Sequence, residues 1–406
     1  MDKNGIRNHF CPPFYYLCVM IQRQLLQKIQ KLWKAFPVLT LTGPRQSGKT
    51  TLIKSADLGL PYVSLEDVDI RQIALQDPRG FLANYKDGAI FDEVQNVPDL
   101  FSYIQSEVDS TDKKYVLSGS QNFQLIEKIS QSLAGRTGIL RLMPFSLKEL
   151  AQSESFDTYH NYIYQGSYPR LYDKGIDPID YYPSYINTYI QRDVRLIKNI
   201  ENLNVFTKFV QLCAGRIGQP LNVSNLASDA GISPKTAQSW LSVLEASYII
   251  HLVQPYYKNY NKRLIKSPKL YFVDTGVACS LLGIESVSQL LSFHLIGNLF
   301  ENMVINEFLK ARWNKGLPSN IYYWQNRNRK EIDIIIDRPD GPIAIEVKSG
   351  STISQSYFSN LEYWKTLSGD ESSTSYVIYG GDQNMTLGQN SLISWRQLNE
   401  LIEELS

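Results

Sequence analysis

Eight consecutive residues, Gly43-Pro44-Arg45-Gln46-Ser47-Gly48-Lys49-Thr50, constrain this chain more than any other feature. They fit G-x-x-x-x-G-K-[ST] without a gap, and the flanks suit the pattern. Val38-Leu-Thr-Leu-Thr42 before them reads as a short buried strand, and helical periodicity resumes from Thr50. A strand that turns through glycines into a helix aims backbone N–H groups and the positive end of the helix dipole at one point. That arrangement suits phosphate oxygens. Lys49 is placed to reach β- and γ-phosphates, and the Thr50 hydroxyl to ligate Mg2+. With Thr51 added, these residues form the expected cofactor-binding set, and the implied ligands are ATP and Mg2+.

Further strands are expected at Tyr62-Val-Ser-Leu, Gly88-Ala-Ile-Phe-Asp92, Tyr115-Val-Leu-Ser-Gly119 and Ile139-Leu-Arg-Leu. Strands alternating with helical stretches of this length give a parallel sheet covered on both faces. Asp92 ends the third strand, where a carboxylate helps hold Mg2+, and Glu93 beside it is placed to polarise the attacking water. Ser120, with Asn122 behind it, follows the fourth strand as a sensor of the γ-phosphate. Arg136 precedes the fifth strand. It reads either as an arginine finger, which in trans would require a homo-oligomer, or as a solvated surface residue.

At 406 residues the chain should hold two to four domains. The pattern divides it into an irregular extension (1–20), the nucleotide-binding core (21–150), a helical lid or linker (151–205), a basic module (206–285) and a terminal mixed module (286–406). Met20 reads as the natural start. Overall charge is +1, yet residues 206–283 carry eight Lys or Arg against three Asp or Glu, a net of +5. One basic module thus sits in a mildly acidic chain. Four dispersed cysteines and four histidines give neither metal-ligand spacing nor a disulfide framework. No apolar run approaches the ~18 residues of a membrane span, so a cytoplasmic protein without a membrane partner is expected.

Leu41-Thr-Gly-Pro-Arg-Gln-Ser-Gly-Lys-Thr-Thr51, Phe91-Asp-Glu-Val-Gln95, Leu117-Ser-Gly-Ser-Gln121, Leu133-Ala-Gly-Arg136 and Pro144-Phe-Ser-Leu-Lys-Glu149 together resemble a large prokaryotic family of AAA-type ATPases. The resemblance runs across residues 21–406 and is specific for ATP binding. It implies an α/β fold with a P-loop AAA-type core and a C-terminal domain whose role in that family is poorly defined.

Within the basic module, Asn222 to Gly231 reads as a short helix closed by glycine, and Ser233-Pro234 opens a second helix to Ala246. Two strands follow, Tyr248–Leu252 and Leu270–Val273, so a winged helix-turn-helix is expected. Lys235, Thr236, Gln238 and Ser239 face outward on the second helix. The wing, Lys258 to Lys269, supplies five basic residues as a phosphate clamp. DNA is the partner this implies; a regulatory lid packed on the nucleotide domain is the alternative.

In the terminal module Glu301 heads the buried stripe of its own helix, where an acid needs a partner. Glu331 to Asp337 and Ile343 to Lys348 read as paired strands, with Asp333 on one face of the first and Glu346 and Lys348 on one face of the second. An acid, twelve residues, then E-x-K resembles the metal site of the PD-(D/E)XK nuclease superfamily. The resemblance implies a restriction-endonuclease-like α/β domain. Glu301, Asp333 and Glu346 would hold a divalent ion there, and Lys348 would orient water. Gln325 departs from that pattern, which more often has Arg. Two functions remain open: a DNA-associated ATPase with a nuclease-like domain, or a nucleotide-dependent switch whose terminal domain is a degenerate docking module for a protein partner.

Overall fold

Helix Leu25–Ala35 stops at Phe36, whose extended backbone passes the chain through Pro37 into β1 (Val38–Thr42). In this computed structural model, which describes residues 21–120, 132–194, 200, 202–257, 266–328, 330–369 and 374–405, all five residues of β1 are buried. A parallel strand with neighbours on both sides and helices on both faces is built from such apolar and β-branched residues. β2 (Tyr62–Ser64), β3 (Gly88–Asp92), β4 (Lys114–Gly119) and β5 (Thr137–Arg141) complete a five-stranded sheet in the order β2-β3-β4-β1-β5. Every pairing in it is parallel.

One sheet face meets helices Leu25–Ala35 and Lys49–Ser55 through Leu39, Leu41, Ile90 and Val116. The other meets helix Leu100–Ser110 through Phe91, Tyr115 and Leu117. β5 begins at Thr137, two residues before the expected Ile139. Gly138 makes this possible, because a Cβ there would come within 3.1–3.3 Å of Leu39, Leu32 and Phe36.

Helices Tyr159–Gln165, Pro169–Lys174 and Pro178–Tyr185 follow, and Ile186–Val194 continues as a wider π-type turn. Helices Leu203–Ala214, Val223–Ala230 and Pro234–Ala246 then lead into an antiparallel pair, β6 (Ile250–Val253) and β7 (Lys269–Phe272). The helix ends fall where the caps place them. Asn222 accepts from the Asn225 N–H, Gly231 closes the helix at φ +75°, and Ser233 accepts from the Thr236 N–H ahead of Pro234.

The terminal module sets the long helix Ile296–Asn314 against a six-stranded mixed sheet. Its strands are β8 (Ile321–Gln325), β9 (Glu331–Ile336), β10 (Ile343–Lys348), β11 (Ser375–Tyr379), β12 (Met385–Leu387) and β13 (Asn390–Ser394). β8, β9 and β10 pair antiparallel, whereas β10, β11 and β13 pair parallel. A single apolar core runs from Met143 to Leu405 and takes in Phe206, Trp240, Phe272, Phe300, Ile345 and Trp395. The middle and terminal modules therefore share one interior.

Residues 1–20, Gln121, Asn122 and the wing residues Lys258, Lys262 and Arg263 lie outside the described residues. Among the described residues no helix is long and apolar enough to cross a membrane.

Candidate functional site

The turn after β1 requires glycine at two places. Gly43 has φ +152°, and a Cβ on it would lie 2.0 Å from the Leu142 carbonyl oxygen. Gly48 has φ +91°, the left-handed region that glycine enters without penalty. Gln46 also takes a positive φ, +63°. Between these turns the Lys49 ammonium folds back and donates to the Gly43 and Pro44 carbonyls at 2.9 and 2.8 Å. Burial lowers its pKa to about 8, against the upward pull of Glu93 and Asp92. Ser47 is fully buried, and its hydroxyl has no partner among the described residues, which suits a loop shaped to meet oxygen atoms. The Arg45 side chain reaches out to Glu66 at 3.4 Å.

Asp92, at the end of β3, is the hub of this edge. Its Oδ2 accepts from the Thr50 hydroxyl at 2.6 Å and the Tyr62 hydroxyl at 2.7 Å, and Ser118 donates to Oδ1. Burial alone would raise its pKa, but the hydroxyls of Ser118, Thr50 and Tyr62 and the Lys49 ammonium outweigh that and lower it. Asp92 is therefore held as a carboxylate. Thr50 and Asp92 put a hydroxyl and a carboxylate oxygen side by side, a donor set that suits Mg2+.

Glu93 turns out of the strand at φ +52°, a conformation that costs a non-glycine residue of order 1–3 kcal/mol. Its Oε2 accepts from the Gln95 amide, the Ser120 N–H at 3.4 Å and the Ser120 hydroxyl at 3.3 Å. Ser120 thus reaches the edge expected of it, through Glu93. Thr51, next to Thr50 in the first turn of the helix, is exposed.

Arg136 lies at the other end of the sheet. Its carbonyl accepts from the Val38 N–H, and β5 runs parallel to β1 from that point. The loop sits past the far end of β1, about 17 Å away at ~3.3 Å per residue. Arg136 instead pairs with Asp109 of its own chain at 2.6 and 2.9 Å. The expectation that it reaches the γ-phosphate is corrected for its own chain: a residue that precedes a parallel strand occupies the edge opposite one that follows it.

The loop is covered from the middle of the chain. Tyr181 donates to the Gln46 side chain at 2.9 Å, and the Tyr185 hydroxyl lies 3.5 Å from the Arg45 carbonyl. Pro169 stands 3.7 Å from where a Gly48 Cβ would be, which brings the exposed Arg170 to this edge. The hydroxyls of Thr42 and Tyr248 meet at 2.7 Å. Sequence reasoning missed Tyr62, Tyr181, Tyr185 and Tyr248.

A second cluster lies in the terminal module. Carboxylate oxygens of Glu301, Glu331 and Asp333 fall within 4.8 Å of one another. Glu331 was not foreseen. Glu346 is outside that trio and meets Asp333 through Lys348, which bonds Glu346 closely and lies 3.4 Å from Asp333. The Val347 N–H also donates to Asp333 at 2.8 Å. Burial raises the pKa of Glu301 and of Glu346. Asp333 is lowered, because Lys348, Lys269 and the Val347 N–H overcome its burial. Gln325 donates to Glu331.

Lys269 was expected in an exposed phosphate clamp. Its side chain is only 1% exposed, and its ammonium bonds Glu331 and lies 2.9 Å from Glu301. The correction follows from alternation on β7, which turns Lys269 and Tyr271 inward together; Tyr271 donates to Glu301 at 2.5 Å. Elsewhere in the basic module, Lys235 and Gln238 are exposed, whereas Thr236 and Ser239, also expected to face outward, are half-buried.

Three family models match successive parts of the chain. Residues 35–151 match the family model of an AAA domain, and residues 156–288 and 296–398 match two domains of unknown function, DUF8612 and DUF4143. An uncharacterized protein of Mycobacterium tuberculosis is 26% identical over 358 residues, covering 86% of this chain and 79% of its own. An uncharacterized protein of Haemophilus influenzae is 19% identical over 361 residues, covering 81% and 86%. Among solved structures, a Walker-type ATPase of Pyrococcus abyssi aligns with TM-score 0.41 and 14% identity, over 64% of this chain and 94% of that one. AMPPCP-bound DnaA from Aquifex aeolicus aligns with TM-score 0.28 and 12% identity, over 54% and 86%. The phosphate loop and all five strands of the parallel sheet lie within the residues that match the AAA domain.

Proposed function

We propose that the chain is a Mg2+-dependent ATPase whose nucleotide state sets the arrangement of the modules that follow. The observation that carries the reading is Asp92, held ionised with the Thr50 hydroxyl on one oxygen, beside a phosphate loop closed over Lys49. Lys49 and the loop N–H groups bind and orient the β- and γ-phosphates. Thr50 and Asp92 would hold Mg2+, which offsets charge on the phosphate oxygens. Glu93 takes the proton from water as the water oxygen bonds the γ-phosphorus and the bond to ADP breaks. Gln95 and Ser120 both bond Oε2 of Glu93, so they fix the carboxylate and leave Oε1 to accept the proton.

Tyr181 on the Gln46 side chain and Tyr248 on the end of β1 support the switch reading. They connect the loop to the shared core of the middle and terminal modules, so a change in loop shape on ATP binding meets packed side chains directly. A protein partner docked on the terminal module would then sense the nucleotide. A second reading, DNA association through a winged helix, is favoured by the exposed Lys235 and Gln238 on helix Pro234–Ala246. Steady-state ATP hydrolysis with and without duplex DNA separates the two. Slow, near-stoichiometric hydrolysis with ADP retained supports the switch; fast turnover stimulated by DNA, with an affinity that falls steeply with salt, supports the second reading.

A further inference from the structure

We propose that the acidic pocket of Glu301, Glu331 and Asp333 is a socket for Lys269, a latch joining the middle and terminal modules that works without a divalent ion. Three elements converge on it: helix Ile296–Asn314 brings Glu301, β9 brings Glu331 and Asp333, and β7 brings Lys269. The carboxylate oxygens lie within 4.8 Å of one another, close enough that a cation belongs among them. Lys269 supplies that cation, bonding Glu331 and lying 2.9 Å from Glu301. Its ammonium also stands over the Tyr323 ring, 5.4 Å from the ring centre.

The lysine is fixed in place. Its backbone pairs with Val253 in β6 and forms a bridge to Pro220, and the next strand residues are also tied down. The Phe272 N–H donates to Asn302 at 2.7 Å, and the Phe272 carbonyl accepts from Asn302 and Asn306 at 2.8 and 2.9 Å. Beyond β6, Tyr256 and Tyr323 continue the join by backbone pairing. Withdrawing the ammonium would unpair a strand and open a core. A divalent ion needs several oxygens at about 2.0–2.6 Å, and two of the three carboxylates already face the ammonium. Ammonium and metal exclude one another here by charge and by volume. Lys348 meets Asp333 and Glu346 in the same way, so each of the four carboxylates contacts one of the chain's own lysines.

The test uses the full chain without nucleotide. Mn2+ is titrated by electron paramagnetic resonance into the wild type and into Asp333→Asn. The latch predicts the same weak, non-saturating uptake in both; a saturable site in the wild type that Asp333→Asn removes overturns it. Thermal unfolding of Lys269→Met, with and without Ca2+, reads the converse. Removing the ammonium while keeping the stem should lower Tm by about 5 °C or more, and Ca2+ should recover part of that loss only in this variant. A folded Lys269→Met protein with an unchanged Tm and no response to Ca2+ overturns the proposal. Should the variant fail to fold, the Mn2+ titration decides alone.

Discussion

The chain builds two acidic centres from similar parts and balances them in opposite ways. At the C-terminal edge of the first sheet, Asp92 is met by hydroxyls, those of Thr50, Tyr62 and Ser118. A hydroxyl can turn away from a carboxylate and offer its own oxygen to a metal, so this centre is ready to take in an ion and change partners. In the terminal module, Glu301, Glu331, Asp333 and Glu346 are met by the ammoniums of Lys269 and Lys348. An ammonium has three donors and no acceptor, and one held in a buried pair leaves only at a cost of several kcal/mol. The first arrangement suits a ligand that comes and goes, the second a permanent join. A cluster of carboxylates is thus defined less by its acids than by what faces them.

That contrast breaks most sharply at the two lysines. Lys49→Ala should abolish ATP binding measured by calorimetry while leaving the fold intact, since its ammonium bonds two carbonyls of the loop and no core residue depends on it for packing. Lys269→Met should instead lower Tm and bind ATP as the wild type does. If both variants lost ATP binding equally, the two centres would be coupled rather than separate. Next in size, Glu93→Gln should keep ATP binding and lower turnover by ~10²-fold or more, the scale of a lost general base. Unchanged single-turnover hydrolysis would remove Glu93 from that role.

A smaller effect is expected at Tyr62. Tyr62→Phe removes one donor from Asp92 and leaves the ring in place. Hydrogen bonds to charged groups contribute about 1.5–3 kcal/mol, so the Mg2+ concentration needed for half-maximal turnover should shift by roughly tenfold or more. An Asp92 carboxylate that needed no such support would show no shift. The dependence on pH is of similar size. Lys49 has a pKa lowered to about 8 in the free protein, and phosphate binding requires its charged form. ATP affinity should therefore be flat below that pH and fall by up to tenfold per unit above it, with proton uptake on binding. Affinity that held level to pH 9.5 would contradict the buried ammonium. The smallest effect belongs to Arg136. Dilute Arg136→Ala protein should hydrolyse ATP within about twofold of the wild type, because the nearest loop lies across the sheet. A large loss that mixing with Lys49→Ala protein reverses would place Arg136 in a neighbouring chain's site.

What could be read from the sequence followed its locality. The loop, Asp92 and Glu93 are written in contiguous residues, each set by a strand end, and the structure places them together. Asp333, Glu346 and Lys348 come from two strands joined by one short turn, so alternation alone brought them close. Tyr62 reaches Asp92 only because β2 pairs with β3, and Tyr181 meets Gln46 across 135 residues of chain. No local pattern announces such contacts. Lys269 was misread for a different reason: its basic neighbours suggested a solvated loop. The signal lay in Lys269-Leu-Tyr-Phe, a strand with every residue buried, where an inward lysine needs acids opposite. Arg136 was legible in principle, since a parallel sheet puts every preceding loop on the edge away from the nucleotide.

The contrast between the two centres is tested most directly by the number of Mn2+ ions the full chain holds, counted by electron paramagnetic resonance with and without a non-hydrolysable ATP analogue. A single tight equivalent should appear only with the nucleotide, be lost in Asp92→Asn and be indifferent to Asp333→Asn. A tight equivalent present without nucleotide and lost in Asp333→Asn would contradict that contrast.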